Sequence, residues 1–426
     1  NTYQTVQKLL ASDGAANDKF GRDVAMNSDG TKVIVGAYLE HAGGTSDAGS
    51  VYIYTYNGSS WIEHKLVSPD NDTGAEFGNS VGMNSDGTKV IVGAYKNDEG
   101  SPEATDTGAA YIFTYSGGSW DVGTKIVAPD KAASDRFGYS AKMSGDGNRV
   151  IVGAYLEDHD VNGGVTLNSA GSAYIFTYNG SSWDTGTKIV ASDRAASDLF
   201  GRSGAINSDG TKVIVGTSNG EAAYIYTYNS GTSNWDEQII VASDGAAGDK
   251  FGWSTAMNGD GTKVIVGAYL EHPGNLSDAG AAYIFTYNGS SWDTGTKIVA
   301  PDKEASDHFG ISVGMNSDGT KVIVGAYQEH ADGVDNAGAA YIFAYDGSNW
   351  DTGLKITAPY KEANDAFGTS VAMNSDGKKV IVGVEQTNNG GAGFAHVFTR
   401  DTTHHLTTDL KLQSNTWHNL TYAYQG

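Results

Sequence analysis

The side chains best suited to chemistry in this sequence are glutamates with a histidine one or two residues later, at four comparable places along the chain. Imidazole and carboxylate groups together can bind a transition metal, and carboxylates beside tyrosine can bind sugars. Neighbours in sequence need not converge on one ion, so we favour a solvated rim, copied with a repeat, over a metal site. The candidates for ligand binding are Glu40, His41, Asp47, Glu157, Asp158, His159, Asp160, Glu271, His272, Glu329 and His330.

A second acidic pattern is a pair of aspartates five residues apart. Two nearby carboxylates could form a weak cation site, but aspartate also accepts hydrogen bonds from backbone N–H groups in turns, and we favour that role. The sequence therefore leaves calcium open here and otherwise predicts no cofactor. The pairs are Asp13 with Asp18, Asp130 with Asp135, Asp193 with Asp198, Asp244 with Asp249, and Asp302 with Asp307.

Enzymatic motifs are missing from the sequence. It contains no phosphate-binding P-loop, no HExxH and no Gly-x-Ser-x-Gly. Its carboxylates are too numerous to single out a glycosidase pair, and without cysteine neither disulfides nor thiolate metal sites can form. We predict a protein that is not an enzyme.

The net charge of −23 restricts the class of partner. Nucleic-acid binding depends on lysine and arginine at phosphates, and an anionic membrane surface also attracts basic residues. No apolar run approaches the roughly 20 residues of a membrane span. We therefore predict neither nucleic-acid binding nor membrane insertion.

A Phe-Gly pair marks a repeat that must position these side chains. The chain has 58 glycines and only 6 prolines, which suits short strands joined by tight turns. The repeat occurs seven times, at Phe20, Phe77, Phe137, Phe200, Phe251, Phe309 and Phe367.

Each unit reads as four β-strands. In the sixth unit we predict strands over 309–316, 320–327, 339–345 and 350–358, because apolar, β-branched and aromatic runs are bounded there by Gly, Asn, Asp and Ser. Seven such units predict an all-β fold, a seven-bladed β-propeller with four antiparallel strands per blade. Six units open the fourth strand with tryptophan, which could stack on sugars but which we expect to pack between neighbouring blades.

The two ends of the chain predict how the ring closes. Residues 3–21 align with 183–201, a fourth strand followed by the next first strand, whereas the last unit supplies only three strands. The N-terminal strand is therefore expected to complete the last blade. We place the propeller at residues 1–400 and a separate tail at 401–426, whose "SNTWHNLTYAYQG" resembles laminin-G and concanavalin-like domains or adds one strand.

Phe-Gly, a turn and then Val-Gly-Ala resemble the FG-GAP repeat of integrin α-subunit propellers, and more closely bacterial and marine FG-GAP-like proteins. The proline of "GAP" is replaced by Tyr38, Tyr95, Tyr155, Tyr269 and Tyr327, and two units diverge with Ser218 and Glu385. The resemblance implies a propeller used mainly for recognition, and it does not identify the ligand.

The resemblance also implies calcium in the turn between the first two strands, and the residues of "NSDG" argue against it. Asn27 and Asp29 align with the third and fifth ligand positions, which puts Ala25 and Val33 at the first and ninth. Calcium needs 6–8 oxygens, and both end ligands are missing in every unit. Asp-Gly between strands is a hairpin signal, so we predict structural turns without metal.

Variable loops on one face are where we expect function. Loops from strand two to three and from strand four to one share that face, and the fourth unit has almost no two-to-three loop, which predicts a notch. We predict a secreted or surface recognition and scaffold module for adhesion or structural assembly, which binds protein or glycan. A lectin-like carbohydrate-binding propeller is the alternative, and a polysaccharide-acting enzyme is the third choice.

An extracellular location is also suggested by triplets of the type Asn-x-Ser/Thr, which accept N-linked glycans in secreted proteins. The chain begins at Asn1 without methionine, as expected of a processed product or a fragment. The glycosylation candidates are Asn57, Asn71, Asn179, Asn275, Asn288 and Asn419.

Overall fold

Seven antiparallel sheets stand around one axis in the computed structural model, which describes residues 2–98, 105–385 and 390–400. The first strand of each sheet contacts the first strand of the next, and the seventh contacts the first, so the sheets form the blades of a closed propeller. The predicted seven-bladed fold is confirmed. The tail that we separated at 401–426 lies outside the described residues.

The strands follow one another blade by blade. Blade 1 contains β2 (Phe20–Met26), β3 (Lys32–Ala37), β4 (Ser50–Tyr56) and β5 (Trp61–Val67), and blade 2 contains β6 (Ser80–Met83), β7 (Lys89–Ala94), β8 (Ala109–Ser116), β9 (Ser119–Trp120) and β10 (Thr124–Ile126). Blade 3 contains β11 (Phe137–Met143), β12 (Arg149–Ala154), β13 (Ser172–Thr177) and β14 (Thr187–Ile189), and blade 4 contains β15 (Ser203–Ile206), β16 (Lys212–Gly216), β17 (Ala223–Asn229) and β18 (Asn234–Ile240).

The remaining blades repeat the pattern. Blade 5 contains β19 (Phe251–Met257), β20 (Lys263–Ala268), β21 (Ala281–Thr286) and β22 (Thr296–Ile298), and blade 6 contains β23 (Phe309–Met315), β24 (Lys321–Ala326), β25 (Ala339–Ala344) and β26 (Leu354–Ile356). Blade 7 contains β27 (Phe367–Met373), β28 (Lys379–Val384), β29 (Phe394–Arg400) and the N-terminal β1 (Tyr3–Leu9). Three single 3₁₀ turns, Ala42–Gly44, Pro273–Asn275 and Ala331–Gly333, lie in loops.

The N-terminal strand closes the ring as predicted. β1 pairs antiparallel with β29, from Tyr3 opposite Arg400 to Leu9 opposite Ala395. The first and last strands of the propeller are therefore hydrogen-bonded neighbours in one sheet. The closure gives blade 7 its fourth strand, so that β1 rather than β29 forms the outer edge of that sheet.

The core lies between blades rather than within one of them. The second strands read as unbroken apolar runs because both of their faces are covered, and Val33, Ile34 and Val35 are fully buried. One cluster joins Ile34 and Val51 of blade 1 to Phe77 and Val90 of blade 2, and similar clusters recur around the ring. Each blade is thus stabilised mainly by its neighbours.

Glycine allows adjacent blades to approach closely. A β-carbon on Gly36 would lie 2.0 Å from the carbonyl oxygen of Gly78 in the next blade. The equivalent contact is found at all six remaining junctions between blades. Gly78 has φ of +99°, a conformation that favours glycine. The Phe-Gly and Val-Gly positions are therefore constant because they meet across the blade interface.

The "NSDG" turns join the first two strands as hairpins, and their polar atoms bond within the turn. The Asn27 Oδ1 atom accepts hydrogen bonds from the N–H groups of Thr31 and Lys32 at 3.0 and 2.9 Å. The Asp29 Oδ1 atom accepts from the N–H and the hydroxyl of Thr31 at 2.9 and 2.6 Å. These are the oxygens that a metal would have had to use.

The seven turns are also bonded to one another in a ring. Ser28 donates its backbone N–H to the carbonyl of Ser85 at 2.9 Å, and the series continues turn by turn until Ser375 donates to Ser28 at 3.0 Å. A basic side chain reinforces each step, as where Lys32 Nζ donates to the carbonyl of Gly87 at 3.0 Å. The near-constant sequence of the turns is explained by this ring.

The fourth strands of blades 2, 3, 5 and 6 are shorter than predicted. In blade 6 the prediction covered 350–358, whereas β26 is Leu354–Ile356 and Trp350 forms only an isolated bridge with Tyr345. The Asp351 side chain accepts hydrogen bonds from the N–H groups of Ala344 and Gly353, and Gly353 has φ of +84°. This local turn interrupts the ladder in blades whose sequence contains Trp-Asp-x-Gly.

The tryptophans pack both within and between blades. Trp120 lies 5.4 Å from Tyr115 of its own blade and also contacts the cluster shared by blades 1 and 2. Lys32 of blade 1 lies over the Tyr115 ring at 5.3 Å. Trp120 therefore packs between neighbouring blades, as predicted, and also packs against a tyrosine of its own blade.

Candidate functional site

Two faces of the propeller differ in their chemistry. We call one the turn face, because it contains the seven bonded turns, and the other the loop face. The loop face contains the connections from second to third strands and from fourth strands to the next first strands. The two-to-three connections cover 38–49, 95–108, 155–171, 217–222, 269–280, 327–338 and 385–393.

The loop-face glutamates are buried and bonded to lysine. Lys65 of β5 places its Nζ atom 3.0 Å from Glu40 and 2.7 Å from Asp13. Glu40 also accepts a hydrogen bond from the Ser50 hydroxyl at 2.5 Å, and Asp13 accepts one from the Tyr52 hydroxyl at 2.7 Å. One lysine thus brings together a predicted glutamate and the first member of a predicted aspartate pair.

The same cluster is repeated in blades 3, 5 and 6. The hydrogen bond from Lys297 lowers the pKa of Asp244. Because each carboxylate faces an ammonium group, these clusters tie two loops and the outer strand together. The equivalent sets are Lys188 with Asp130 and Glu157, Lys297 with Asp244 and Glu271, and Lys355 with Asp302 and Glu329.

Sequence reasoning missed the lysines, although a signal was present. Lys125, Lys188 and Lys297 stand in the same "TKI" triplet of the fourth strand, and strand pairing brings each opposite a buried tyrosine. The neighbouring blade and the loops cover that part of the strand, so the lysines act inside the fold.

The second aspartate of each pair closes a turn. Asp18 accepts a hydrogen bond from the backbone N–H of Ala15 at 2.6 Å, and Asp135, Asp198, Asp249 and Asp307 each accept one from the N–H three residues earlier. Burial raises the pKa of Asp135 to about 7 and that of Asp307 to about 6. Within the described ranges, no three acidic or histidine side chains converge as metal ligands would.

The histidines are the more exposed members of the predicted set. His41, His272 and His330 lie 3.7, 3.7 and 3.8 Å from Asp47, Asp278 and Asp335. His159 lies 3.3 Å from Glu157, whereas Asp158 and Asp160 accept backbone hydrogen bonds within their own loop. Ligand binding by these residues stays a prediction.

The glycosylation candidates lie in different surroundings. Asn57, Asn179 and Asn288 are exposed in turns between third and fourth strands, and Asn275 is exposed in a loop-face turn. Asn71 is half-buried, and its Nδ2 atom donates hydrogen bonds to Ala42 and Thr45. Asn419 lies outside the described residues.

Blade 4 has the shortest two-to-three loop, and in that loop a side chain replaces the backbone carbonyls as hydrogen-bond acceptor. At the junction of blades 1 and 2, carbonyls of Ser46, Asp47 and Ala48 accept hydrogen bonds from the following loop. In blade 4 the Glu221 carboxylate accepts them instead, from the N–H groups of Gly248, Lys250 and Phe251 at 3.0, 3.2 and 2.9 Å. The predicted short loop is thus held in place by Glu221.

A central channel opens on the loop face, and sequence reasoning did not identify it. Its cavity volume is about 390 Å³. The residue after each Phe-Gly pair lines it, and that position varies far more than the rest of the first strand, which is the signal that could have found it. The residues are Arg22, Asn79, Tyr139, Arg202, Trp253, Ile311 and Thr369.

Most charges within the channel are paired. Arg22 lies 3.3 Å from Glu385, the residue that replaces tyrosine in blade 7, and donates to Asn79 at 3.2 Å. Asp23 lies 2.7 Å from Lys142 of blade 3. The methionines Met26, Met83, Met143, Met257, Met315 and Met373, together with Ile206, line the end nearer the turn face.

The FG-GAP repeat family matches seven segments that cover most of the sequence. They are residues 3–54, 61–113, 120–176, 183–232, 235–285, 292–343 and 350–398. The chain belongs to the FG-GAP repeat family. No curated protein sequence matched it.

Solved structures confirm the architecture at low sequence identity. The β-propeller domain of Cps50 (Swd1) from Myceliophteria thermophila has a TM-score of 0.56 and 10% identity, over 94% of this chain and all of that chain. Hydrazine synthase from Kuenenia stuttgartiensis has a TM-score of 0.55 and 12% identity, over 92% of this chain and 97% of that chain. Such likeness shows the fold alone.

In the described residues no helix is long and apolar enough to span a membrane.

Proposed function

We propose that this protein is a non-enzymatic recognition and scaffold module, secreted or surface-exposed, that binds a partner protein through its loop face in an adhesive or structural assembly. The contrast between the two faces carries the proposal. The turn face repeats one bonded turn seven times, whereas the loop face presents connections of different length and content on the same rigid ring. Variable loops on a rigid support are where binding residues usually lie.

The state of the loop-face carboxylates supports a binding role over a catalytic one. Glu157 is 1% exposed and contacts Lys188, so it is held as an ion pair and is covered from solvent. The exposed groups, by contrast, are histidines and rim aspartates such as His41 and Asp47, whose side chains are 62% and 45% exposed. These groups can meet a partner without disturbing the lysine clusters.

An array of matrix proteins and glycans tests the proposal. We expect the protein to bind a protein target, and a triple variant His41→Ala, His272→Ala and His330→Ala to weaken that binding at least tenfold. A triple variant of the turns between third and fourth strands, Ser60→Ala, Ser182→Ala and Ser291→Ala, serves as the matched control, since these serines are exposed and lie outside the Asn-x-Ser triplets. Unchanged binding by the histidine variant, or loss only in the control, would contradict the proposal, as would turnover of a polysaccharide.

Carbohydrate binding is the second candidate, and two grooves favour it. They lie between blades 2 and 3 and between blades 5 and 6, with volumes of about 590 and 570 Å³. Each combines aromatic and carboxylate side chains, such as Tyr178, Trp183 and Asp184 in the first. Glycan binding that Trp183→Ala and Trp350→Ala abolish, and that the histidine variant retains, would establish this function instead.

A further inference from the structure

One charged side chain in the channel has no charged partner. Arg202 projects from the start of the first strand of blade 4 into the channel mouth. No carboxylate of the described residues lies within ion-pair distance of its guanidinium group, and none of their atoms accepts a hydrogen bond from it. The guanidinium group packs on two aromatic rings: the ring centroids of Tyr139 and Trp253 lie 4.5 and 3.8 Å from the guanidinium carbon.

The surroundings make this charge unfavourable without a ligand. Burial lowers the pKa of Arg202, and the nearby charge of Arg22 lowers it further. Arginine nevertheless remains protonated in proteins, so the positive charge persists at neutral pH. Arg202 is half-buried, and contacts with aromatic faces compensate such a partly desolvated cation only in part.

Among the described residues that face the mouth, one positively charged side chain has no oppositely charged partner. Arg22 is balanced by Glu385 and Lys142 by Asp23. Within the described part of the chain, Arg202 therefore gives this channel one uncompensated positive charge, in a protein whose net charge is −23. That balance suits a monoanion, because a dianion would meet Glu385 and Asp23 with its second charge.

The walls indicate the body of the ligand. Around the mouth, aromatic rings follow one another from Tyr139 and Tyr155, 4.3 Å apart, to Trp253 and Tyr269, 4.5 Å apart, and on to His308 and Tyr327. Deeper in the channel the lining combines small or hydroxylic residues, such as Ala25, Ser203 and Gly204, with the methionines already described. A cavity of about 390 Å³ accommodates a molecule of one ring.

We propose that the channel mouth is a binding site for a small organic carboxylate with a ring body, whose carboxylate pairs with Arg202. The planar guanidinium group binds a carboxylate through two parallel hydrogen bonds, and Tyr139 and Trp253 hold it in place. The site lies inside the ring of loops and does not depend on the partner proposed for the loop face.

Calorimetry with matched acids and neutral compounds tests the site. Glucuronate is compared with glucose, and benzoate with benzamide. We expect at least one acid to bind and its neutral counterpart to bind at least tenfold more weakly. Arg202→Gln should weaken the acid at least tenfold, Arg202→Lys should bind with intermediate affinity, and Lys378→Gln on the turn face should bind as the unaltered protein does.

Four outcomes would overturn the inference. They are equal binding of the neutral compounds, unchanged binding by folded Arg202→Gln, tighter Arg202-dependent binding of inorganic sulfate than of either acid, and no binding of either acid at about 10 mM. Thermal melting shows whether each variant is folded. The histidine variant of the loop face should still bind the acid, so failure of the loop-face proposal and failure of this one can be told apart.

Discussion

At the scale of single residues, charged side chains of this protein connect loops that would otherwise be held by backbone hydrogen bonds or left to solvent. Lys188 joins two carboxylates that belong to different loops, and Glu221 stands in for three carbonyls of a loop that blade 4 lacks. Each of these groups is charged and bonded on several sides. Removing one of them therefore leaves several polar atoms without partners, which costs more than the loss of one contact.

Glu221→Ala should destabilise the protein by about 3 kcal/mol, because the N–H groups of Gly248, Lys250 and Phe251 lose a charged acceptor. Denaturant unfolding measures the change. Glu304→Ala is the control, since Glu304 is exposed in the four-to-one loop between blades 5 and 6. Equal stability of the two variants would show that Glu221 does not hold the loop.

Asp135→Asn should remove a pH dependence. The folded-state pKa of Asp135 is about 7, above the usual value of 3.8, because burial disfavours the charged form. The raised pKa contributes stability fully below about pH 4, and that contribution is lost as pH rises toward 7. The variant should therefore gain melting temperature relative to the unaltered protein between pH 4 and 7.5. A difference that stays constant across this range would contradict the assignment.

At the scale of strands and turns, the contact between blades decides which positions can vary. The second strand has to pass directly against the Phe-Gly bulge of the next blade, so its glycine has no space for a side chain. The first strand, by contrast, faces a channel, and its third position ranges from Arg22 to Trp253 and Thr369. Positions that face the backbone of the next blade are therefore constant, whereas positions that face the channel vary.

Gly36→Ala should lower the free energy of unfolding by about 3 kcal/mol, because the added methyl group would lie 2.0 Å from a backbone oxygen of Gly78. Gly164→Ala, whose nearest atom is 3.8 Å away, should change it by less than about 0.5 kcal/mol. Chemical unfolding of both variants provides the comparison. If Gly36→Ala were as stable as the control, the blades would not be held as closely as described.

Most of the strands and turns could be predicted from sequence, since strand count, turn position and ring closure depend on local pattern and repeat spacing. The broken fourth strand could not, because the Asp351 side chain competes with the strand ladder only once Gly353 adopts its positive φ. The lysine clusters and the channel mouth depend on which strands become neighbours. Lys65 and Glu40 meet only once the strands of blade 1 are paired, and Arg202 and Tyr139 meet only once blades 3 and 4 are packed together.

At the scale of the whole molecule, stability depends on closure. All seven blades contact two neighbours each, and the last contact is completed by a strand from the other end of the chain. Leu9 of that strand is 2% exposed and belongs to the cluster with Phe20 and Tyr52 of blade 1. The N-terminal strand thus contributes to two blades.

Deletion of residues 2–9 should lower the melting temperature by roughly 10 °C or more, because blade 7 loses its outer strand and β29 becomes an open edge. Size-exclusion chromatography should show dimers formed by edge pairing. A synthetic peptide of residues 2–9 added in trans should restore both measurements, and a scrambled peptide should not. A monomeric deletion variant with unchanged melting would contradict the closure.

The family repeat and the blade are offset by one strand. Each matched segment, such as 61–113, begins with the fourth strand of one blade and ends with the third strand of the next. A duplicated copy of such a segment therefore contributes its first strand to one sheet and its remaining three strands to the next sheet. Gain or loss of whole copies changes the size of the ring but leaves its two ends in one sheet, so the same seam is inherited whatever the number of blades.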